Sequence, residues 1–197
     1  MNRTILALAG LLYSAAGGAE APAKGMAVGS PNAPITIEVF SDFECPHCKI
    51  LHEQVLRPLI RDYVVPGKVY LIHREFPLLG HLYSRLAASY ACAAARIGKY
   101  QEVSDVLFLN QVVWSVNGKV DETVASVLTP AEASKVRELA KDSGIAAEVQ
   151  HDVDLARAMG LNQTPTMIVK HRSIPYPISG AVNYDLLRSF LDSRLGK

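Results

Sequence analysis

The sequence predicts an α/β fold in which a sheet domain is interrupted by an all-helical insertion. Three observations indicate this architecture: a strand-helix-strand pattern between residues 35 and 76, helical periodicity over almost all of residues 80–160, and two strand patterns followed by a helix at the end of the chain. We expect the sheet domain to comprise residues 20–78 and 161–197, and the helical insertion to comprise residues 79–160.

Residues 1–19 precede the predicted domain and have the pattern of a secretory signal peptide. Arg3 is followed by ILALAGLLYSAAGGA, an apolar run that is too short to cross a bilayer and that ends in small residues, as signal peptidase requires. We expect cleavage near Ala19 and a mature protein that is periplasmic or secreted. The alternative is an uncleaved amphiphilic tail.

The composition disfavours several classes of partner. With 20 Lys and Arg against 19 Asp and Glu, the net charge is +1 and no basic block is present, so nucleic acid and anionic membrane surfaces are poor candidates. The 3 cysteines are too few for a framework of stabilising disulfides. Two of them lie close together, and that pair is the first candidate for chemistry.

The first half of the sheet domain is predicted to be a parallel strand-helix-strand unit. Its first strand, ITIEVF at 35–40, is apolar on both faces except at Thr36 and Glu38, which is typical of a central strand covered on both sides. Helical KILHEQVLRPLIRDY follows, and GKVYLIHREF at 67–76 has a second strand pattern. Strands joined by such a crossover are expected to pair in parallel.

The helical insertion and the end of the chain carry boundary signals. Helices are predicted over HLYSRLAASYACAAARIG, over KYQEVSDVLFLNQ, after the capping box TPAE at 129–132, and over residues 145–159. Strands are predicted at 166–170 and 176–180. Asn183 is expected to cap a last helix, whose apolar side chains on or near one face are Leu186, Leu187, Phe190, Leu191 and Leu195.

The stretch SDFECPHC places a cysteine pair at the start of the first helix. Pro46 has no N–H and suits the first helical position, which makes Cys45 the N-cap residue. Cys45 then faces unpaired backbone N–H groups and the positive end of the helix, which favour its thiolate, the nucleophile in disulfide exchange. A helix terminus is worth up to about 2 kcal/mol, or roughly one and a half pKa units.

Two neighbours complete the predicted redox pair. Cys48 shares an apolar stripe with Leu51 and Val55, so we expect it to be buried and to act as the resolving thiol. His47, in the first turn, can donate to the Cys45 sulfur only in the reduced state. This would stabilise the reduced form and make the disulfide a stronger oxidant.

The alternative for a single C-x-x-C motif is half of a zinc site. Cys45, Cys48 and His52 would cluster on one helix face, but the sequence offers no second C-x-x-C or H-x-x-x-H motif to complete a tetrahedral site. The preceding strand, the proline and the predicted export favour the redox interpretation, and no metal is expected. Cys92 lies among alanines and is predicted to be a buried core residue.

The stretch NQTPTMIV supplies a second signal. Alone, Thr-Pro before a strand is typical of an ordinary turn, but beside a cysteine motif we predict a cis Thr164–Pro165 bond positioned against the disulfide. Backbone groups next to Pro165 would then be free to pair with an extended substrate segment.

SDFECPHC followed by a helix, with TPT before a later strand, resembles the DsbA-like thiol:disulfide oxidoreductases of the thioredoxin superfamily over about residues 30–195. The resemblance implies a thioredoxin-like core with a helical insertion and no cofactor beyond the redox-active disulfide. By this resemblance the site residues are Cys45 as the attacking thiol, Cys48 as the resolving thiol, Pro46 and His47 as the dipeptide that tunes the pair, Pro165 as the cis proline and Thr164 as part of the peptide groove.

The resemblance also implies partners. Substrates would be cysteine-containing exported proteins, and reoxidation would need a membrane quinone-linked partner of the DsbB or vitamin K epoxide reductase type. We expect a monomer, because the lead-in before the first strand is too short for the dimerisation segment that dimeric relatives carry.

Two departures from the family pattern bear on the chemistry. Asp42 and Glu44 make the loop before Cys45 acidic and would oppose its thiolate. Glu38 precedes Cys45 by seven residues. It is either a buried carboxylate that relays a proton to or from Cys48 or a partly exposed strand residue.

The leading hypothesis is a dithiol oxidase that introduces disulfides into exported proteins. The first alternative is a reductase or isomerase on the same fold, since a threonine before the proline also resembles isomerase-type members. Cys48 disfavours a glutathione-dependent isomerase or transferase. A non-catalytic peptide-binding chaperone would use the groove beside Pro165 without either cysteine.

Overall fold

The computed structural model describes residues 22–196, and the predicted signal peptide, residues 1–19, lies outside them. The strands of the described residues are β1 (Ala27–Val28), β2 (Ile35–Ser41), β3 (Val69–Glu75), β4 (Thr166–His171) and β5 (Ile174–Ser179). They form one mixed sheet in the order β1-β3-β2-β4-β5. β2 and β3 pair in parallel, and every other neighbouring pair is antiparallel.

The helices of the described residues pack against this sheet or against one another. They are α1 over residues 46–64, α2 (Ser84–Ala95), α3 (Tyr100–Leu109), α4 (Gln111–Asn117), α5 (Val120–Ala125), α6 (Pro130–Leu139), α7 (Ser143–Ala158) and α8 (Tyr184–Arg194). Helices α2–α7 all lie between β3 and β4 in the chain, so the predicted α/β fold with a helical insertion is confirmed. Across residues 22–196, no helix combines the length and the apolar character needed to cross a membrane.

The parallel pair β2–β3 places the start of α1 at one edge of the sheet. Ile35 lies opposite Val69, and the register continues to Ser41 opposite Glu75. The predicted strand-helix-strand unit is therefore confirmed. Because both strands end at the same edge, the loop that leads into α1 lies at the carboxyl ends of the central strands, where α/β folds place their sites.

The two faces of β2 are covered by different parts of the chain. Ile37 and Val39 are buried with Leu51 of α1 and Leu187 of α8. The intervening residues point to the opposite face, where Phe40 packs with Val153 of α7. The central strand is thus covered on both sides, as its apolar pattern predicts.

Helix α1 is less regular than the sequence predicts. Between α-helical segments it contains two π-helical segments, His52–Leu56 and Ile60–Val64. They flank Pro58, which lies in the short α-helical segment Arg57–Leu59. Since proline donates no hydrogen bond and its ring crowds the preceding turn, wider turns let the helix continue through it.

The caps of the later helices follow the sequence signals, with one correction. Thr129 and Glu132 form the predicted capping box. The Asn183 side chain accepts a hydrogen bond from the backbone N–H of Asp185. Within α8, however, Leu186 is exposed, because the buried stripe of this short helix is narrow and centred on Leu187 and Leu191.

Candidate active site

The cysteine pair lies where β2 passes into α1. Pro46 is the first residue of α1, and Cys45 is its N-cap in an extended conformation, with φ −76° and ψ 120°. Cys45 is 6 % exposed and Cys48 is 1 % exposed, and both are free thiols in this structure. The two residues are one helical turn apart, with Cys45 at the helix end and Cys48 more deeply buried.

The surroundings of Cys45 stabilise its thiolate. The Cys48 thiol donates a hydrogen bond to the Cys45 sulfur and makes the largest contribution to lowering the pKa of Cys45. Burial acts in the opposite direction and raises this pKa. Hydrogen bonds from the Thr164 side chain and from the backbone N–H groups of Cys48 and His47 lower it further. Together they lower the pKa of Cys45 from 9.0 to about 5. The His47 imidazole is exposed, so the contribution of His47 comes from its backbone N–H at the helix end.

The chain segment before β4 covers Cys45 from the other side. The peptide bond between Thr164 and Pro165 is cis. The Cys45 sulfur lies 3.4 Å from the carbonyl oxygen of Thr164. The buried Thr164 hydroxyl has no hydrogen-bond partner while Cys45 is a thiol. It is therefore placed to donate when that thiol ionises.

The Cys48 thiol meets the opposite environment. Burial, and then the hydrogen bond to Cys45 and the negative charge of its thiolate, raise the pKa of Cys48 far above its usual value. A hydrogen bond from the Ser41 side chain and the backbone N–H of Asp42, which lies 3.4 Å from the Cys48 sulfur, act against this shift. Cys48 remains a thiol at neutral pH and serves as the donor that Cys45 needs.

Gln111 ties the helical insertion to the cysteine loop and was not predicted from the sequence. This buried residue begins α4, and its Nε2 donates to the carbonyl oxygen of Phe43 at 2.6 Å and to that of Cys45 at 3.0 Å. Gln111 and Trp114 are the buried residues of α4. One feature of the sequence could have identified Gln111. It is a polar residue three positions before a tryptophan, so the two lie on the same face of the helix, while the valines between and after them lie on the exposed face.

The acidic loop is held by a second segment, residues 78–84. The buried Asp42 carboxylate accepts hydrogen bonds from the backbone N–H groups of Glu44 and Leu78, both at 2.7 Å. It also accepts from the Ser84 hydroxyl at 2.5 Å and from Nδ1 of His81 at 2.7 Å. Hydrogen-bond donors therefore surround the negative charge that the sequence places beside Cys45.

Glu38 is not brought to the cysteine pair. Its carboxylate pairs with Arg74 at 3.0 Å and Lys170 at 2.5 Å, and Arg74 also contacts Asp152 of α7 at 3.1 Å. These contacts lie on the face of β2 away from α1, because Ile37 and Val39 occupy the α1 face. Glu38 is buried, contrary to the partly exposed alternative, and its contacts make it an ion-pair residue between the sheet and α7.

The third cysteine and the candidate ligand His52 have surroundings of their own. Cys92 is buried in the core cluster that also contains Cys45 and Cys48, and burial raises its pKa well above the usual value. The His52 side chain contacts Asp105 through Nε2 at 2.6 Å and packs against Phe108. Within residues 22–196, no group of three His, Cys, Asp or Glu residues is arranged to hold a metal ion.

Comparisons with known proteins identify one family and two kinds of relative. The thioredoxin family model matches residues 22–193. The Na(+)/H(+) antiporter NhaA 3 of Salinispora tropica is 33 % identical over 85 % of this chain, but this chain covers only 25 % of the antiporter. The disulfide bond formation protein D of Bacillus subtilis is 25 % identical over 87 % of this chain and 78 % of that protein.

A solved structure supports the same fold. The α-DsbA1 of Wolbachia pipientis superposes with a TM-score of 0.72 at 19 % identity, over 87 % of this chain and 90 % of that one. The predicted thioredoxin-like fold is thus confirmed. The chain spans about a quarter of the length of the antiporter relatives and most of the length of the disulfide-forming relative.

Proposed function

The chain belongs to the thioredoxin family, with the predicted likeness to DsbA-like thiol:disulfide oxidoreductases confirmed, and we propose that it acts as an exported dithiol oxidase. The observation that carries this proposal is the opposite ionisation of the two thiols. Cys45 is acidic and lies at the helix end, whereas Cys48 is buried behind it and keeps its proton. Such a pair favours the reduced state, so its disulfide is a strong acceptor of electrons.

The proposed reaction transfers two electrons from a substrate dithiol to the disulfide. A substrate thiolate attacks the Cys45 sulfur, the bond between the two enzyme sulfurs breaks, and Cys48 leaves and takes up a proton. A second substrate thiolate then attacks the substrate sulfur of the mixed disulfide and releases Cys45 as a thiolate. The substrate loses two protons, of which one stays on Cys48 and one enters the solvent.

The acidity of Cys45 favours the second step in particular. A low-pKa thiol is a good leaving group, so the mixed disulfide is resolved by the substrate rather than accumulating. The backbone next to Pro165 faces the same sulfur, and an extended substrate segment would lie there as an added strand.

Exposed apolar side chains flank the cysteine loop and support unfolded or partly folded proteins as substrates. Leu79 is 94 % exposed and Leu82 is 79 % exposed, on the segment that holds Asp42. On α4, which Gln111 anchors to the loop, Val112 and Val116 are also exposed. We place this activity outside the cytoplasm, acting as a monomer, with cysteine-containing exported proteins as substrates and a membrane quinone-linked reoxidase as partner.

The test is the equilibrium of the Cys45–Cys48 pair with glutathione, measured in a Cys92→Ala protein so that only the pair titrates. We expect a reduction potential well above about −180 mV and a mixed disulfide on Cys45. A potential near or below about −230 mV would assign the protein to reduction or reshuffling of disulfides instead. A Cys45→Ser protein that still oxidised a reduced substrate would overturn the assignment.

A further inference from the structure

His81 lies in the segment that covers the acidic loop, and the proposed redox reaction does not use it directly. Its Nδ1 is 2.7 Å from the Asp42 carboxylate. A turn closed by the His81 backbone N–H on the carbonyl of Leu78, at 3.1 Å, holds the backbone in place. The side chain is 30 % exposed, so the imidazole can exchange protons with solvent.

Two carboxylates lie on the loop beside Cys45, and protonation of His81 offsets one of these two negative charges. Asp42 and Glu44 both lie on the cysteine loop, and the segment reaches Glu44 only through the backbone N–H of Tyr83, at 2.6 Å. The donors that reach Asp42 from Leu78 and Ser84 are neutral. Among residues 78–84, His81 is therefore the side chain that can carry a positive charge and offset a carboxylate.

The charges that face His81 are those of the cysteine site. Burial opposes its protonation, but the hydrogen bond and charge of Asp42, and then the charges of Glu44 and Cys45, raise its pKa above the usual value. Such coupling is reciprocal: if the Cys45 thiolate favours protonated His81, protonated His81 favours the thiolate to the same extent.

We propose that His81 is a positioning residue whose imidazolium, held on Asp42, offsets the acidic loop and stabilises the Cys45 thiolate, so that the disulfide becomes a stronger oxidant as His81 is protonated. This inference rests on the proposed function. Two glutathione thiols reduce the Cys45–Cys48 disulfide, and the products are glutathione disulfide, the Cys45 thiolate, the Cys48 thiol and one proton. Protonated His81 stabilises the product side of this equilibrium.

The experiment compares four proteins in glutathione buffers from mildly acidic to mildly alkaline pH. The wild type is measured beside His81→Gln, which keeps a hydrogen-bond donor without the charge, and His81→Lys, which keeps the charge at every pH used. The control is His171→Gln, at the far end of β4. Each sample also gives the pKa of Cys45 from the ultraviolet absorbance of its thiolate.

We expect His81→Gln to shift the equilibrium about two- to fivefold toward the disulfide at acidic pH, the effect of one partly exposed charge pair. The difference from the wild type should vanish at alkaline pH, where His81 is neutral. His81→Lys should keep the strongly oxidising equilibrium to alkaline pH, and His171→Gln should match the wild type.

The outcomes separate the two proposals. If the wild-type pair does not exchange with glutathione through Cys45, the proposed function fails. If it exchanges but the His81→Gln and His81→Lys profiles both coincide with the wild-type profile, the role of His81 is overturned and the proposed function stands. A shift that is equal at every pH would assign His81 a purely structural role and would likewise overturn the inference.

Discussion

Cys45 and Cys48 are the same residue type, one turn apart on one helix, yet their surroundings drive them in opposite directions. The Cys48 thiol, the Thr164 side chain and backbone N–H groups lower the pKa of Cys45 to about 5, whereas burial raises the pKa of Cys48. The difference shows that the burial of each thiol and the hydrogen-bond donors around it, more than its position in the motif, determine which thiol attacks and which resolves. The two shifts reinforce each other, because the protonated Cys48 donates a hydrogen bond that stabilises the Cys45 thiolate, and this thiolate keeps Cys48 protonated.

The neighbours of the two thiols come from different parts of the chain. Cys45 faces Thr164, from the segment before β4, and its carbonyl is held by Gln111 of the helical insertion. Cys48 faces Ser41 and Asp42 at the end of β2. A substitution among the neighbours of one cysteine should therefore change the pKa of that thiol more than the pKa of the other.

Replacing each cysteine in turn should give the largest contrast. We expect Cys45→Ser to abolish exchange with glutathione disulfide, since Cys48 is buried and protonated. Cys48→Ser should instead accumulate a mixed disulfide on Cys45, because no resolving thiol remains. Intact mass after incubation distinguishes the two proteins. A glutathione adduct on Cys48 in the Cys45→Ser protein would contradict the assigned roles.

The pH dependence of stability should separate the dithiol and disulfide forms. The pKa of Cys45 is depressed from 9.0 in the unfolded chain to about 5 in the folded dithiol form. The unfolded chain therefore binds more protons between these values, and the free energy of unfolding of the dithiol form should rise with pH through this window. Urea unfolding of both forms across this range checks it. The disulfide form lacks the thiolate, so an identical slope in both forms would contradict the prediction.

Glu38→Gln tests whether the Glu38 carboxylate relays a proton to Cys48 or only stabilises the fold through its ion pairs. Removing one partner of a buried ion pair should cost about 3 kcal/mol of unfolding free energy. The rate at which Cys48 resolves a mixed disulfide should not change, because Glu38 contacts Arg74 and Lys170. Glu122→Gln, in an exposed pair with Lys119, is the control and should alter stability little. A slower resolution at unchanged stability would instead support the predicted proton relay.

Gln111→Leu should have the smallest effect of these changes, about 2 kcal/mol, because it leaves the carbonyls of Phe43 and Cys45 without their shared donor. The loosened helix end should also raise the pKa of Cys45 and leave Cys48 protonated. Thermal unfolding and thiolate absorbance measure the two effects. Val112→Ala, an exposed change on the same helix, is the control. Unfolding and thiolate titration that match the control would contradict an anchoring role for Gln111.

Much of the fold could be predicted because its signals are local. The apolar residues on both faces of ITIEVF, the proline after Cys45 and the capping box at Thr129 each act within one element, so they predict β2, the start of α1 and the start of α6. The π-helical turns around Pro58 were not predicted, since a proline in a helix can be accommodated in several ways and the packing against the sheet selects one.

The amino-acid sequence is enough to identify the residues that can act chemically: a cysteine at a helix start, a second cysteine on the apolar stripe, and a Thr-Pro pair before a strand. The charged groups that reach these residues could be identified only from the folded protein. Asp42 and Glu38 are both buried acids of the same strand and loop, but Asp42 meets donors from residues 78–84 whereas Glu38 meets Arg74 and Lys170. The physical reason is that electrostatic interactions depend on distance and burial, and the sheet and helical insertion bring together groups that are far apart in sequence.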